Sequence, residues 1–417
     1  MIRADEDKTK GQNVSVSLPH RESRLLLRSS WGTVNIGDIA HTPGILHLLE
    51  QYLPDTEVRL WPTSVGNGVE EMLHKRFPRL VILKSPGDIQ TALKECDFLI
   101  HGSGPSLIAH RDVARWRTET GGKPYGIYGI TLTDVSAQDA ELIRGARFAF
   151  FRDSVSLKRV QDRGIGCPVL EFSPDAAFAT DLHNDAAATA FLRANRLEEG
   201  KFLCVIPRLR YSPYWKMFHS AMSSEDERKH ARSEAMKEHD HAPLRAVITA
   251  VTRQTPLKVL VCPEDESQMA VGKEMLVDPL PADVKEKVVW RERYWLTDEA
   301  LSTYRRSAGL FGLEMHSPIL CVGNGVPAIV CRFAEQTSKG FMWRDIGLGE
   351  WLFDMDKDEE FPRITEAVLT VAGNSGAARE KANRARDFVL RRFRETMGVV
   401  QREVLSAKAA SPRTELK

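Results

Sequence analysis

His316 lies at the predicted turn between a strand and a helix, in the most regular stretch of this sequence. Leu310–Leu313 has the short apolar pattern of a buried strand, Ser317 offers a helix N-cap, and Pro318 suits the first helical position. This spacing predicts His316 at the carboxyl end of a parallel strand and beside a helix N-terminus, where free backbone N–H groups favour an anion. His316 is either a ligand-binding residue or a simple cap of the turn, and its surroundings have to decide.

The unit around this histidine is predicted to be a crossover between two strands. Pro318–Val322 makes about two helical turns, Gly323–Gly325 stops them, and Val326–Cys331 resumes as an apolar strand. A strand, a helix and a second strand in this order form a βαβ crossover. The last third of the chain therefore contributes to a parallel sheet.

Strands and helices also alternate through the first half of the chain. Arg24–Arg28 opens the first strand, Ser29–Asp38 follows as a glycine-bearing loop, and a helix is predicted to start at Thr42 and Pro43. Six more runs have strand character: Glu57–Trp61, Leu80–Leu83, Asp97–Ile100, Tyr125–Ile130, Arg147–Phe151 and Val169–Phe172. Alternation at this length specifies a doubly wound, mostly parallel sheet.

The second half repeats this architecture. Strands are predicted at Phe202–Pro207, Leu257–Cys262 and Lys287–Trp290, ahead of the unit around His316. The predicted fold class is α/β, with two Rossmann-like doubly wound domains. The predicted divisions are a disordered tail at 1–22, an N-terminal domain at 23–180, a C-terminal domain at 201–376, and a C-terminal helix and tail at 377–417.

Composition argues against several classes of partner. The 417 residues carry 58 Lys plus Arg against 57 Asp plus Glu, a balance that speaks against a nucleic-acid surface or a polybasic membrane anchor. No stretch approaches the roughly 20 apolar residues of a membrane helix, so no integral membrane segment is expected. The six cysteines lack metal-ligand spacing, which predicts a reduced, cytoplasmic compartment. Composition leaves the oligomeric state open.

Arg208–His241 is the least regular segment and is longer than a connecting loop needs to be. It is predicted to be an excursion over the cleft. His239 and His241 flank Asp240, a pattern compatible with a metal site, but no ligand spacing recurs elsewhere in the sequence. A solvated helix end is the favoured interpretation, and no metal site is predicted.

Five short motifs, in order and in register from about residue 25 to about residue 360, resemble the polysaccharide pyruvyl transferase family. No single motif is specific, because short glycine and aspartate motifs recur by chance. They are Asn35, Gly37 and Asp38 in the first loop; His101, Gly102, Ser103 and Gly104 after the fourth strand; Arg152, Asp153 and Ser154; Pro174 and Asp175; and His316 and Ser317 with the following Gly325 and Pro327.

The resemblance implies a fold and a reaction. The two Rossmann-like domains are expected to face each other across a cleft, as in GT-B glycosyltransferases. The expected reaction transfers a pyruvyl group from phosphoenolpyruvate, a co-substrate, to sugar hydroxyls, and forms a cyclic ketal in cell-surface or exopolysaccharide biosynthesis. The acceptor is expected to be a saccharide or a lipid-linked glycan, and no further cofactor is implied.

This reaction sets requirements for the site. The donor carries a phosphate and a carboxylate, which need cations or oriented N–H groups. An acid must protonate the enol carbon and a base must take a proton from the sugar hydroxyl. The resemblance places donor binding at His316 and Ser317 and a cleft arginine near Arg208 and Arg210, either of which suits phosphate unless it is an exposed loop residue. Asp38 is predicted to orient or deprotonate the acceptor, unless it only stabilises its loop by an Asx turn.

The remaining motif residues are predicted to line the cleft, each with a structural alternative. Asn35 and Gly37 belong to the first loop. Gly102 and Gly104 permit close backbone approach with or without a ligand. Arg152 is a candidate cleft cation, although an Arg-Asp pair at a strand end also commonly locks a helix cap.

One position departs from the family pattern. The residue two before the histidine is commonly arginine in the family, and here it is Glu314. An anion in a phosphate-binding pocket would weaken donor binding by roughly 1 to 4 kcal/mol at intermediate dielectric. Two alternative functions follow: a GT-B-like glycosyltransferase in which Glu314 meets the hydroxyls of a nucleotide sugar, and a non-catalytic glycan-binding relative that uses Tyr211, Tyr214 and Trp215.

Overall fold

Two parallel β-sheets, each with helices on its faces, make up the computed structural model, which describes residues 23–410. The predicted fold class, α/β with two Rossmann-like domains, is confirmed. The tail predicted at 1–22 and the last seven residues of the predicted C-terminal tail lie outside the described residues.

The N-terminal sheet has the strand order β3-β2-β1-β4-β5-β6-β7, and every neighbouring pair is parallel. Its order reverses between β1 and β4, so the loops after these two strands open at a topological switch point. The strands are β1 (Ser23–Ser29), β2 (Thr56–Pro62), β3 (Val81–Ile82), β4 (Phe98–His101), β5 (Tyr125–Ile130), β6 (Ala149–Phe151) and β7 (Leu170–Phe172).

The C-terminal sheet has the corresponding order β10-β9-β8-β11-β12-β13, again all parallel. Its switch point lies between β8 and β11, whose carboxyl ends lead to Arg208 and to Glu314. The strands are β8 (Phe202–Ile206), β9 (Lys258–Val261), β10 (Val288–Trp290), β11 (Gly309–Gly312), β12 (Ala328–Arg332) and β13 (Leu352–Asp354).

Helices connect the strands and cover both faces of each sheet. In the N-terminal half they are α1 (Ile36–Tyr52), α2 (Val69–Arg76), α3 (Pro86–Glu95), α4 (His110–Glu119), α5 (Ala137–Gly145), α6 (Ser154–Asp162) and α7 (Asp185–Ala194). In the C-terminal half they are α8 (Tyr214–Met217), α9 (Ser224–Gln254), α10 (Gln268–Gly272), α11 (Ala282–Lys285), α12 (Thr297–Tyr304), α13 (His316–Gly323), α14 (Met342–Asp345), α15 (Phe361–Gly373) and α16 (Ser375–Ala410).

Helix α1 begins earlier than predicted. Asn35 is its N-cap, and the side-chain oxygen of Asn35 accepts hydrogen bonds from the backbone N–H groups of Gly37 (2.7 Å) and Asp38 (3.4 Å). The predicted start at Thr42 and Pro43 is therefore wrong, because Asn35 satisfies the free N–H groups about two turns upstream. Asp38 consequently lies in the first turn of α1, not in a loop.

Most of the segment Arg208–His241, predicted to be an excursion over the cleft, belongs to helix α9. It starts at Ser223, whose capping box with Asp226 fixes the first turn. Asp240 and His241 lie in its middle and are buried, so the predicted solvated helix end is also wrong. Only the segment 208–223 remains irregular, apart from the short α8.

Helix α16 packs against both domains. It contacts β1 and α1 of the N-terminal domain and α13 and α15 of the C-terminal domain. Its polar anchors in the first domain are a hydrogen bond between Thr396 and Tyr128 (3.2 Å) and one from Gln401 to the carbonyl of Tyr52 (2.8 Å). The predicted C-terminal helix therefore bridges the two domains.

Candidate active site

The switch points of the two sheets face each other and touch. Asn35, at the start of α1, forms an isolated antiparallel bridge with Asp265, which follows β9. The backbone N–H of Ile36 donates to the carbonyl of Glu264 over 2.9 Å. This contact brings the N-terminus of α1 beside the N-terminus of α13.

His316 is the first residue of α13, and its ring packs against the backbone of α1. A Cβ atom on Gly37 would lie 2.2 Å from His316 Nδ1, so a larger residue cannot occupy this position in the observed arrangement. Helix α13 has Met315 as its N-cap and no side-chain cap within its own sequence. Ser317, predicted as the N-cap, lies in the first helical turn instead.

Glu264 supplies the missing cap from another part of the chain. Its Oε2 accepts from the backbone N–H of Ser317 (2.6 Å) and from Ser317 Oγ (2.8 Å), and its Oε1 lies 3.2 Å from His316 Nδ1. A carboxylate at this position complements the helix dipole. Burial raises the pKa of Glu264. The anion predicted at this helix N-terminus is therefore a side chain of the protein, and both polar groups of Ser317 are occupied by it.

The other ring nitrogen of His316 has no partner. Nε2 is buried and makes no hydrogen bond within residues 23–410. Burial lowers the pKa of His316 well below its usual value, and the nearby Lys339 and His41 lower it further. His316 is thus a neutral imidazole with one free nitrogen at the junction of the two domains.

Glu314, the residue that departs from the family pattern, is paired internally. Its Oε2 lies 2.5 Å from Arg208 Nη1, and its Oε1 accepts from Gln268 Nε2 over 2.7 Å. Burial raises the pKa of Glu314, and Arg208 opposes that effect. Arg208 keeps one buried donor, Nε, without a partner among the described residues. Arg208 and Glu314 therefore form an ion pair with each other at the site.

Arg210, the second predicted donor arginine, is fully engaged elsewhere. Its guanidinium makes two 2.9 Å bonds to Asp240 of α9 and approaches Asp356 (2.6 Å) and Glu335 (3.1 Å). Its side chain is only 1% exposed. Each of its three guanidinium nitrogens has a carboxylate partner, which argues against a role of Arg210 in donor binding.

Lys339 was not anticipated by the sequence analysis. It lies in a short 3-10 turn after β12, and its side chain is partly buried. Within residues 23–410 no carboxylate lies at ion-pair distance from its ammonium group. Burial, and then the proximity of Arg208, lower the pKa of Lys339 to about 8. No local sequence pattern marks this lysine as a site residue.

Arg152 forms a buried ion pair with Asp175. Its Nη1 lies 2.5 Å from Asp175 Oδ2, and its Nε donates to Thr131 Oγ1 over 2.9 Å. Burial acts to raise the pKa of Asp175, but His41 and Arg152 outweigh it, and the pKa is lowered. Asp153 caps α6 through the N–H of Ser156, which is the structural alternative recognised in the sequence.

His41 is the second residue that the sequence analysis missed. It is completely buried in α1, its Nδ1 lies 3.0 Å from Asp175 Oδ1, and its Nε2 has no partner among the described residues. Its ring centroid is 5.0 Å from that of His316, with the planes at 87°. One signal was available: Gly37 and His41 are four residues apart, so they share a helix face.

The other predicted cleft residues have mixed surroundings. A Cβ on Gly102 would lie 2.9 Å from Ser29 Oγ, and one on Gly104 would lie 3.2 Å from Trp31 Nε1. These two glycines thus accommodate the protein's own side chains. Asp38 is half-buried and has no ion-pair partner within residues 23–410.

The fold and the location of the site define a GT-B-type protein, in which two Rossmann-like domains meet at their switch points. The family profile described as polysaccharide pyruvyl transferase matches residues 35–333. The chain belongs to this family, and the family implies a transferase. A comparison with curated protein sequences gave no match.

Solved structures support the fold. The chain is similar to UGT2 of Phytolacca americana, complexed with UDP-2fluoro-glucose and pterostilbene, at 13% identity and a TM-score of 0.55 over 92% of this chain and 100% of that one. It is also similar to UDP-GlcNAc 2-epimerase of Neisseria meningitidis bound to UDP-GlcNAc (10% identity, TM-score 0.53, 91% and 100% covered). A trehalose-phosphate synthase of Burkholderia vietnamiensis gives 11% identity and a TM-score of 0.52, with 94% and 100% covered.

The helices were also tested for membrane-spanning character. None of those between residues 23 and 410 is both long and apolar enough to span a bilayer.

Proposed function

We propose that this protein is a cytoplasmic pyruvyl transferase that moves the pyruvyl group of phosphoenolpyruvate onto two hydroxyls of a sugar, with formation of a cyclic ketal. One observation carries the proposal. At the junction of the domains, His316 Nε2 and Arg208 Nε are buried without a partner in the described chain, and the nearby Lys339 makes no ion pair within residues 23–410. Buried polar groups of this kind are normally satisfied, so a ligand with several anionic oxygens accounts for them.

Donor recognition follows from these three groups. Arg208 Nε and the Lys339 ammonium suit the phosphate or the carboxylate of the donor, and His316 Nε2 suits the oxygen or carbon that changes protonation. A bound anion favours the charged forms of lysine and histidine, which offsets the effect of burial on their pKa values. Ser317 and Arg210 are left out of the donor contacts because Glu264 and three carboxylates already occupy them.

The acceptor is assigned to the N-terminal domain. Asp38 projects from the first turn of α1, which the side chain of Asn35 fixes. A carboxylate held in this way can orient two neighbouring sugar hydroxyls by accepting their hydrogen bonds. The proposed acceptor is a saccharide or a lipid-linked glycan of a cell-surface or exopolysaccharide pathway, and phosphoenolpyruvate is the only co-substrate.

Phosphate release tests the proposal. Purified protein is incubated with phosphoenolpyruvate and a broad panel of saccharides, and mass spectrometry then identifies a pyruvyl ketal in the product. His316→Ala is expected to lower the rate at least 100-fold, in the range for loss of an acid–base group. His47→Ala is the matched control, because His47 is a half-buried histidine of α1 that pairs with Asp181. The absence of phosphate release across the whole panel would count decisively against this function.

A glycosyltransferase with a nucleotide-sugar donor is the second candidate. The observation that favours it is the GT-B fold shared with structures that contain UDP-sugars. Glu314 does not strengthen this candidate, since Arg208 and Gln268 already occupy its oxygens. Thermal stabilisation by a uridine or guanosine diphosphate sugar, without stabilisation by phosphoenolpyruvate, would favour it.

A non-catalytic glycan-binding role is the third candidate. Tyr214 and Phe218 around α8 are 43% and 58% exposed, and their rings stack at 5.8 Å. Exposed stacked aromatic rings offer an apolar face to a sugar. Saccharide binding that survives the double substitution of His316 and Arg208 by alanine, without turnover in the unmodified protein, would support this role.

A further inference from the structure

We propose that His41 is a second acid–base residue of this site and works as a pair with His316 across the domain interface. The inference rests on the proposed function, because it assigns the proton transfers of that same reaction. Its basis is the placement of His41 in the N-terminal domain, with its ring edge-on to His316 of the C-terminal domain at a centroid distance of 5.0 Å.

Asp175 fixes the orientation and the tautomer of His41. Asp175 Oδ1 lies 3.0 Å from His41 Nδ1, which places the proton on Nδ1 and leaves Nε2 as the free base. The carboxylate cannot rotate away, because Arg152 holds Oδ2 at 2.5 Å and the N–H of Ala177 donates to Oδ1 at 2.9 Å. Asp175 and Arg152 are thus positioning residues for His41.

His316 has the same support from the opposite domain. Glu264 lies 3.2 Å from its Nδ1, and its Nε2 is free. A buried imidazole nitrogen without a partner is destabilising relative to a satisfied one. Two such nitrogens lie close together here, which indicates that both act on a ligand.

A metal ion fits this donor set poorly. His41, Asp175 and His316 have ligand atoms within 4.8 Å of one another. However, the oxygens of Asp175 are engaged by His41, Ala177 and Arg152, which leaves two imidazole nitrogens, fewer than the three protein ligands of a typical catalytic zinc site. The positive charge of Arg152 also disfavours a second cation. Proton transfer therefore explains the pair better than metal binding.

The reaction needs two such groups. In the first step a sugar hydroxyl oxygen bonds to C2 of the donor, His41 Nε2 takes the hydroxyl proton, and the opened C2–C3 π bond takes a proton from His316 Nε2 at C3. In the second step another hydroxyl oxygen bonds to C2 as the C2–O bond to phosphate breaks. The leaving phosphate takes the proton from His41, and His316 takes the second hydroxyl proton.

The protons and bonds of these two steps balance. The two hydroxyl protons end on C3 and on phosphate, both histidines return to their starting states, and no redox partner is needed. The anionic groups of the donor favour the imidazolium form of His316 at the start of the cycle. Asp38 keeps the orienting role that the proposed function gives it.

Both histidines have little or no exposed surface in the observed arrangement. His41 is fully buried and His316 is 6% exposed. We therefore expect donor binding to require opening of the contact between the domains where Asn35 meets Asp265. Exclusion of water from the reacting carbon would keep water from competing as the nucleophile.

Substitution of His41 tests the pairing. His41→Gln is expected to bind phosphoenolpyruvate within threefold of the unmodified protein, by calorimetry, and to release phosphate at least 100-fold more slowly with the saccharide that supports turnover. His47→Gln, the same change on the same helix, is expected to alter neither value. Phosphate release by His41→Gln within threefold of the unmodified rate would overturn the inference and leave the proposed function standing.

Nitrogen NMR of the unmodified protein gives a test that does not depend on folding of the variant. With ring-labelled histidine, His41 is expected to show the Nδ1–H tautomer, and its Nε2 resonance is expected to shift when phosphoenolpyruvate is added. An unchanged resonance under saturating donor, or stoichiometric metal that is lost in His41→Gln, would refute the proton-transfer role. A protein that does not bind phosphoenolpyruvate at all would remove the proposed function, and this inference with it.

Discussion

Two arginines only two residues apart have opposite surroundings. Among residues 23–410, Arg210 is enclosed by Asp240, Glu335 and Asp356, whereas Arg208 has one carboxylate partner, Glu314, and one buried donor without a partner. Each guanidinium nitrogen of Arg210 thus has a carboxylate partner inside the protein. Arg208, in contrast, keeps a donor, Nε, that has no partner among the described residues. The difference teaches that internal partners, more than burial or residue type, decide whether a buried arginine has donors left for a ligand.

Two buried histidines repeat this contrast. His241 uses both ring nitrogens, since Nδ1 donates to the carbonyl of Lys237 and Nε2 accepts from the N–H of Arg208. Burial lowers the pKa of His241 to about 4, so it is a neutral, satisfied core residue. His316 is also neutral and buried but keeps Nε2 free. A lowered pKa alone does not distinguish the two residues, and the free nitrogen does.

The largest expected effect is a loss of stability when the cluster of Arg210 with its three carboxylates is disrupted. Arg210→Met would leave Asp240 without its main partner in a buried position, and we expect a loss of about 3 to 5 kcal/mol in the free energy of unfolding. Urea denaturation followed by circular dichroism measures it. Arg232→Met is the matched control, because Arg232 shares Glu335 with Arg210 but is 48% exposed, and it should change stability by less than about 1 kcal/mol. Equal losses in the two variants would break the comparison.

A smaller effect, on donor affinity, is expected from a change in the ion pair of Arg208 and Glu314. Glu314→Gln keeps the side-chain shape and the contact with Gln268 but releases Arg208 from its ion pair. We expect phosphoenolpyruvate to bind roughly tenfold more tightly, measured by calorimetry, because a negative charge leaves the donor pocket. Glu350→Gln, which breaks an ion pair with Lys381 at the surface, should have no effect. Unchanged affinity in Glu314→Gln would show that Arg208 does not meet the donor.

The smallest effect concerns pH. The pKa of Lys339 is lowered to about 8, so its ammonium is charged below that pH and loses its charge as the pH rises through it. We expect phosphoenolpyruvate affinity to fall severalfold between pH 7 and pH 9, by which point the unliganded lysine is mostly neutral. Lys339→Met should bind more weakly at pH 7 and lose this pH dependence, while Lys201→Met, at a surface ion pair with Glu198, should retain it. A pH profile that is identical in Lys339→Met would contradict the assignment.

Much of the fold was predictable because it depends on local pattern. Apolar runs alternating with amphipathic segments predicted every strand of the N-terminal sheet and the strands β8 to β12 of the C-terminal sheet, whereas β13 was not predicted. The start of α1 was misplaced although its cap, Asn35, is local. The start of α13 was misplaced for a different reason. The free N–H groups of α13 are satisfied by Glu264, which lies some fifty residues earlier in the sequence and belongs to a different loop. A cap supplied from such a distance leaves no mark in the sequence around the helix.

The site was less predictable, because its chemistry depends on which partners are missing. The sequence could not choose between Arg208 and Arg210, since the carboxylates that saturate Arg210 come from α9 and from loops that follow β12 and β13. Lys339 had no pattern to reveal it. His41 was recoverable in principle from its spacing to Gly37, but its importance depends on Asp175, which reaches it only through the tertiary fold.

The packing of α16 against both domains has a mechanical consequence. The chain passes between the domains once before β8 and returns along this helix, so the two halves are joined at two places. Two connections restrict relative motion of the domains more than one connection would. We therefore expect the contact between the domains, and with it the spacing of His41 and His316, to be held more tightly than in a chain joined once.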